Sequence, residues 1–359
     1  MKLRRPLIVR TPLATIMVSG MLALVSMLAN SADTLRILTW EDFIAPALIE
    51  AWTRETGSAV KLAYFDSDEE RDSIIAEGKA KFDLVVVDGL SSLAFGKRDL
   101  FAEITVEHAP NLRHIDPRFT PDCRAGTGVP YLWGTVGLVY RSDKLAKPDS
   151  WSALMTPEKS LKGHIGMIDD YADTFIPPLV LLGEDINADE PEVLRKAFEM
   201  LKAQLPYVLT YDYPVTFLQT EEGEKLYLAM GYNGDQHILN DYSKAGTWAY
   251  TVPKEGTATW VDCMAIPQNS ESPALARRFI DFINEPANAA MNAEALGIAT
   301  GNLAAKALIS PELVEDPSVY PPVDFSGSSG LQGYRSIGRD NLNLRNRITR
   351  ALVKLHEAQ

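Results

Sequence analysis

The stretch KFDLVVVDG, residues 81–89, runs almost unbroken through apolar, β-branched residues from Leu84 to Val87 and stops at Asp88-Gly89. An apolar run this short reads as a strand covered on both faces, as in a parallel sheet, rather than one with a wet side. The segments upstream agree. TLRILTW (34–40) is a first strand, followed by a helix with Pro46 in its first turn and Gly57 at its end. SAVKLAYFD (58–66) is a second strand, and SDEERDSIIAEG (67–78) is a helix opened by Ser67 three residues before Glu70, a capping-box spacing, and closed by Gly78. Downstream, GVPYLWGTVGLVYRS (128–142) predicts two more short strands. Alternation of strand and helix predicts an α/β fold with an open, twisted sheet.

A second unit of the same pattern starts near residue 150. HIGMIDD (164–170) is a strand, FIPPLVLLGED (175–185) an apolar helix or extended segment, and PEVLRKAFEMLKAQ (191–204) an amphipathic helix. SPALARRFIDFINEP (272–286) and NLRNRITRALVKLHEA (343–358) are further helices. Without a Pro/Gly/Ser-rich linker between the units, the expectation is two lobes joined by crossing strands.

The chain has 359 residues, enough for two domains, and a formal net charge of −13. That acidity excludes nucleic acid as a partner, because phosphates are held by Lys and Arg. The N-terminus carries Lys2, Arg4, Arg5 and Arg10, then an apolar run and the small-residue stretch ANSAD. These are the parts of a secretory signal peptide over residues 1–32, cleaved after Ser31 or Ala32. Its removal takes the net charge from −13 to −17. Cys123 and Cys263 have no metal-ligand spacing; in an oxidising compartment they could pair, and a buried thiol at Cys263 is the default expectation.

No catalytic or metal motif stands out: no Gly-x-Ser-x-Gly, no His-Glu-x-x-His, no dinucleotide fingerprint. A paired-carboxylate hydrolase is the weaker alternative, since Asp and Glu pairs are common in an acidic chain. What recurs is an acid beside an aromatic at a strand end, where open α/β sheets bind ligands. The instances are Trp40, Glu41 and Asp42 after the first strand, Asp88 after the third, and Asp169, Asp170 and Asp173 with Tyr171 after HIGMI. Tyr232 and Asp235 follow in GYNGD, and Trp260 and Asp262 in TATWVDCMAIP. Strand alternation puts Trp260 and Asp262 on one face, with Val261 and Cys263 on the other. Taken singly, each Asp reads as a helix cap and each Trp as core. Together they suit an elongated cationic amine, with carboxylates binding its ammonium groups and aromatic faces covering its methylenes.

The segments LRILTWEDFIAPALIEAWTRETG, FDSDEE, FDLVVVDG, PYLWGTVGLVY, GYNGD, VPKEGTATWVDCMAIP and NLAAKALISPELVEDPSVYPP resemble the periplasmic spermidine/putrescine-binding proteins of bacterial ABC importers over essentially the whole mature chain. The resemblance implies a type II periplasmic-binding-protein fold, with lobe 1 over 33–138 and 262–305 and lobe 2 over 139–261 and 306–359. It implies a polyamine ligand, an inner-membrane ABC permease as partner, a monomer in the periplasm, no cofactor and no reaction. Trp40 would be an aromatic wall, Asp42 or Glu41 an amine contact, Asp173 an acid of the second lobe, and Trp260 with Asp262 the central anchor. Tyr232 stands where the family has Trp, Asp235 matches an acid of the putrescine-type members and makes putrescine the first choice, and Gln332 matches a polar contact. Asp88 replaces a common Ser, and Leu90 and Ile298 fall where aromatics are usual. An α-amino-acid receptor would be expected to supply an Arg, and no Arg stands among the strand-end clusters.

Overall fold

The computed structural model describes residues 33–359 except 66, 80 and 322–329; the expected signal peptide lies outside the described residues. Eleven strands form one continuous sheet: β1 (Thr34–Thr39), β2 (Ala59–Tyr64), β3 (Leu84–Asp88), β4 (Gly128–Arg141), β5 (Ile165–Gly166), β6 (Val208–Thr210), β7 (Leu228–Tyr232), β8 (Trp248–Thr251), β9 (Thr257–Ala265), β10 (Ala299–Thr300) and β11 (Leu331–Gly333). The spatial order along its main path is β2-β1-β3-β9-β4-β7-β5-β6. β1 pairs in parallel with β2 and β3, and β5 with β6 and β7, whereas β9 runs antiparallel to both β3 and β4.

β3 shows why its sequence is continuously apolar. Leu84 and Val86 enter one core cluster with Leu35, Ile37 and Phe279, while Val85 and Val87 enter another with Leu38, Phe95 and Phe101. Period-two alternation therefore buries every residue, because helices cover both faces. Ser67 caps the next helix as expected: its Oγ accepts the Glu70 N–H at 3.2 Å at the start of the helix Asp68–Glu77. The segment 175–185 resolves as the helix Ile176–Leu181.

The two short strands expected over 128–142 are one 14-residue strand, β4. Its first half pairs with β9 and β10, its second half with β7 and β8, so it passes from one lobe into the other. Gly134 and Gly137 look like breaks in the sequence, but they are required by close packing. A Cβ at Gly134 would lie 1.7 Å from Asn233 Oδ1 and 2.5 Å from Trp260, and one at Gly137 2.5 Å from the Tyr250 hydroxyl. β9 makes the return crossing: Ala258 packs in the second lobe's core, Val261 and Cys263 in the first's. The expected lobe breaks at 138/139 and 261/262 thus fall inside crossing strands whose core partners change around Thr135 and Trp260. Residues 306–320, expected in lobe 2, instead place Ile309, Val319 and Tyr320 in the first lobe's core against Trp133, because that apolar face needs covering. The C-terminal helix Arg339–Glu357 packs on the core that holds Val136, Ile165 and Leu228, where Leu352 is fully buried.

Cys123 and Cys263 are disulfide-bonded, with Cα atoms 5.8 Å apart. The default of a free thiol at Cys263 is therefore corrected: the bond ties the segment before β4 to β9 across 140 residues of sequence, a pairing that spacing alone cannot reveal. Among the described residues, no helix is long and apolar enough to cross a membrane.

Candidate functional site

Asp88 ends β3, and its position at a strand-to-helix turn gives it two tasks. One oxygen caps the helix Gly89–Gly96, accepting the Ser91 N–H at 2.9 Å; the other accepts from Arg71 at 2.5 Å. Arg71 lies in the first turn of the helix Asp68–Glu77 and is fully buried. Its guanidinium donates to Asp68 (2.5 Å), twice to Asp72 (2.9 and 2.7 Å), and to Ser91 Oγ (2.8 Å). It also lies 5.5 Å from the centre of the Phe65 ring, which in turn packs on Trp40 at 4.3 Å. A planar five-donor fork can serve three carboxylates and a hydroxyl at once. Asp68 faces outward, yet crowding of its carboxyl, together with Asp88 and Asp72 nearby and despite Arg71, pushes it up to about 6.

Asp262 stands directly opposite Asp88 in the β3–β9 register. It is only 6% exposed and makes no hydrogen bond or ion pair with any described residue. Burial, reinforced by Asp68 and Asp88, holds its carboxyl well above the usual range, because an unpaired anion in low dielectric is costly. Two residues back on the same face, Trp260 packs between the cores of both lobes, and its buried indole N–H has no partner among the described residues.

The facing bank comes from the second lobe. Asp170 follows β5 and accepts the Ala172 and Asp173 N–H groups at 2.6 and 2.8 Å. Burial raises its carboxyl, those N–H groups oppose the rise, and Asp169 and Asp88 add to it. Asp170 thus senses Asp88 and Asp68 across the cleft, which brings the two banks within electrostatic range. Asp173, 5% exposed, is held by the hydroxyls of Tyr232 and Tyr334. Burial and the Asp170 charge push it up to about 7, against the lowering effect of those two donors.

Of the residues picked from sequence, the structure groups Trp40, Asp88, Trp260 and Asp262 on the first bank, and Asp173 with Tyr232 on the second. Asp235 is 4% exposed, with both oxygens taken by the Tyr213 hydroxyl and by the Tyr232 N–H at 2.7 Å. It fixes Tyr232 from behind, and burial pushes its carboxyl up to about 7. Gln332 accepts the Ile186 N–H at 3.1 Å, pinning that loop to β11. Glu41 and Asp42 are exposed in the turn after β1, where Asp42 adopts a left-handed φ of 55°. Asp68, Arg71, Asp72 and Tyr334 were not anticipated as site residues. The first three did carry a signal: SDEERD follows the end of β2 and Phe65, the same pairing of acids with an aromatic. The absence of an Arg from the strand-end clusters does not extend to the site, since Arg71 enters from a helix.

The surroundings of Asp262 suit capture of a cation between two lobes, and the comparisons with known proteins agree. A family profile described as bacterial extracellular solute-binding protein matches residues 47–321. The chain belongs to that family. It is 34% identical to the norspermidine sensor of Vibrio cholerae, over 92% of this chain and 91% of that protein. It is 32% identical to the spermidine/putrescine-binding periplasmic protein of Salmonella typhimurium, over 82% of this chain and 84% of that one. The fold matches the crystal structure of the spermidine/putrescine ABC transporter substrate-binding protein of Streptococcus pneumoniae, with a TM-score of 0.78 and 25% identity, covering 90% of this chain and 99% of that one. These relatives are binding proteins and a sensor, and the chain shares their two-lobed solute-binding fold.

Proposed function

We propose that this chain is a periplasmic receptor that captures a linear polyamine between its lobes. The observation that carries this reading is Asp262, a buried carboxylate without a hydrogen-bond partner among the described residues, on the same strand face as Trp260. An ammonium group arriving there supplies the missing charge-assisted hydrogen bonds, and the Trp260 and Trp40 rings cover the methylenes. Asp170 and Asp173 receive the next ammonium from the second bank, and the lobes close over the ligand by bending where β4 and β9 cross.

Putrescine as first choice rests on Asp235, which holds the Tyr232 backbone N–H and accepts from the Tyr213 hydroxyl; the ligand is assigned here as a polyamine without fixing its length. Delivery by a monomer to an inner-membrane ABC permease fits the family. A sensing role is the second reading, favoured by the 34% identity to a norspermidine sensor. Either role uses the same cleft.

A thermal-shift screen with putrescine, cadaverine, norspermidine, spermidine, spermine, arginine and a neutral sugar tests the ligand class. Amines should raise the melting temperature in proportion to the logarithm of their concentration above Kd. Stabilisation by the sugar or arginine, with none from any amine, overturns the reading.

A further inference from the structure

Arg71 is a cation that the protein already keeps inside its amine site. It is fully buried, binds Asp68, Asp72 and Asp88 together, and sits one carboxylate away from Asp262, which faces Asp88 across the β3–β9 pair. The three acids of this bank are therefore supplied with positive charge before any ligand arrives. Among the described residues, Asp262 is the acid of this bank left without a hydrogen-bond or ion-pair partner.

We propose that Arg71 is a specificity-determining residue that limits how many ammonium groups the cleft accepts. The inference rests on the polyamine reading and deepens it. A fixed guanidinium does two things here. It takes up part of the negative charge of acids that would otherwise recruit a further ligand nitrogen, and its own repulsion offsets their pull on an ammonium extended past Asp262 toward Asp68 and Asp72. An amine with one ammonium at Asp262 and another at the Asp170–Asp173 bank meets no penalty. A longer polycation must place its additional charge beside Arg71. The Phe65 ring under the guanidinium, itself held by Trp40, and the Ser91 hydroxyl keep Arg71 from swinging aside.

The readout is a ratio of affinities, spermine against putrescine, measured by calorimetry on the wild-type protein and three variants. Arg71→Gln should shift that ratio at least about tenfold toward spermine, roughly the effect of one uncompensated charge at contact distance. Arg71→Lys, which keeps the charge, should stay within about threefold of wild type by the same reasoning. Asp72→Asn keeps Arg71 and removes one of its acids, so the ratio should move the other way, toward putrescine; it serves the test if Arg71→Gln does not fold. A ratio unchanged in folded Arg71→Gln, a Lys variant that behaves like the Gln variant, or an Asp72→Asn shift toward spermine each overturns the role of Arg71 while leaving the receptor reading intact. A wild-type protein that binds neither amine overturns the receptor reading itself.

Discussion

On the first bank of the cleft, three carboxylates converge on one guanidinium; on the second, Asp173 and Asp235 are held by tyrosine hydroxyls and a backbone N–H. Both arrangements keep carboxylates in partly to largely buried surroundings. A permanent positive charge offsets part of the first bank's negative charge, one guanidinium against three carboxylates, whereas neutral donors leave the second bank's acids raised to about 7 and able to take up a proton instead. The first bank is thus built around charge pairing and the second around hydrogen bonding. Asp262, on the first bank opposite Asp88, has neither among the described residues.

Removing a partner should break the two banks to different degrees. Asp88→Ala takes from Arg71 one charged hydrogen bond and from the helix Gly89–Gly96 its cap, and should destabilise the ligand-free protein by about 2–4 kcal/mol in chemical denaturation. Tyr232→Phe removes one neutral donor from Asp173 but leaves Tyr334 in place, so the expected cost is smaller, about 1–2 kcal/mol. Equal costs would erase the distinction between the banks.

Acidification should sharpen it. The folded-state values of Asp173 and Asp235, about 7, lie above the unfolded reference near 4, so the folded protein binds more protons between those limits. Ligand-free stability should therefore rise as pH falls from about 8 to about 6, by a few degrees in melting temperature. Amine affinity should fall over the same interval by several-fold, because Asp173 must be charged to hold an ammonium. A melting temperature that falls together with affinity would contradict the account of the second bank.

What could be read from the sequence was what is local. The β3 run, the Ser67 cap and the Pro-led helices follow from spacing within a dozen residues, and Trp260 with Asp262 follows from alternation. The continuity of β4 was hidden because Gly134 and Gly137 resemble turn residues, while their real cause is Asn233 and Tyr250, about a hundred residues away in the chain. The disulfide joins positions 140 residues apart, and the convergence of Asp68, Asp72 and Asp88 needs Arg71 to be brought by a helix onto the end of β3. At Asp235 the sequence did not signal a partner the structure supplies: the Tyr213 hydroxyl, 22 residues upstream, donates to one of its oxygens.

The central claim is that Asp262, buried without a partner among the described residues, is completed by a ligand. Calorimetry of polyamine binding to Asp262→Asn, paired with its ligand-free melting curve, tests this most directly. The account predicts an affinity loss of about 2–5 kcal/mol, the usual cost of stripping one partner from a buried charge pair, together with an unliganded variant at least as stable as the parent. Unchanged affinity in the variant would contradict it.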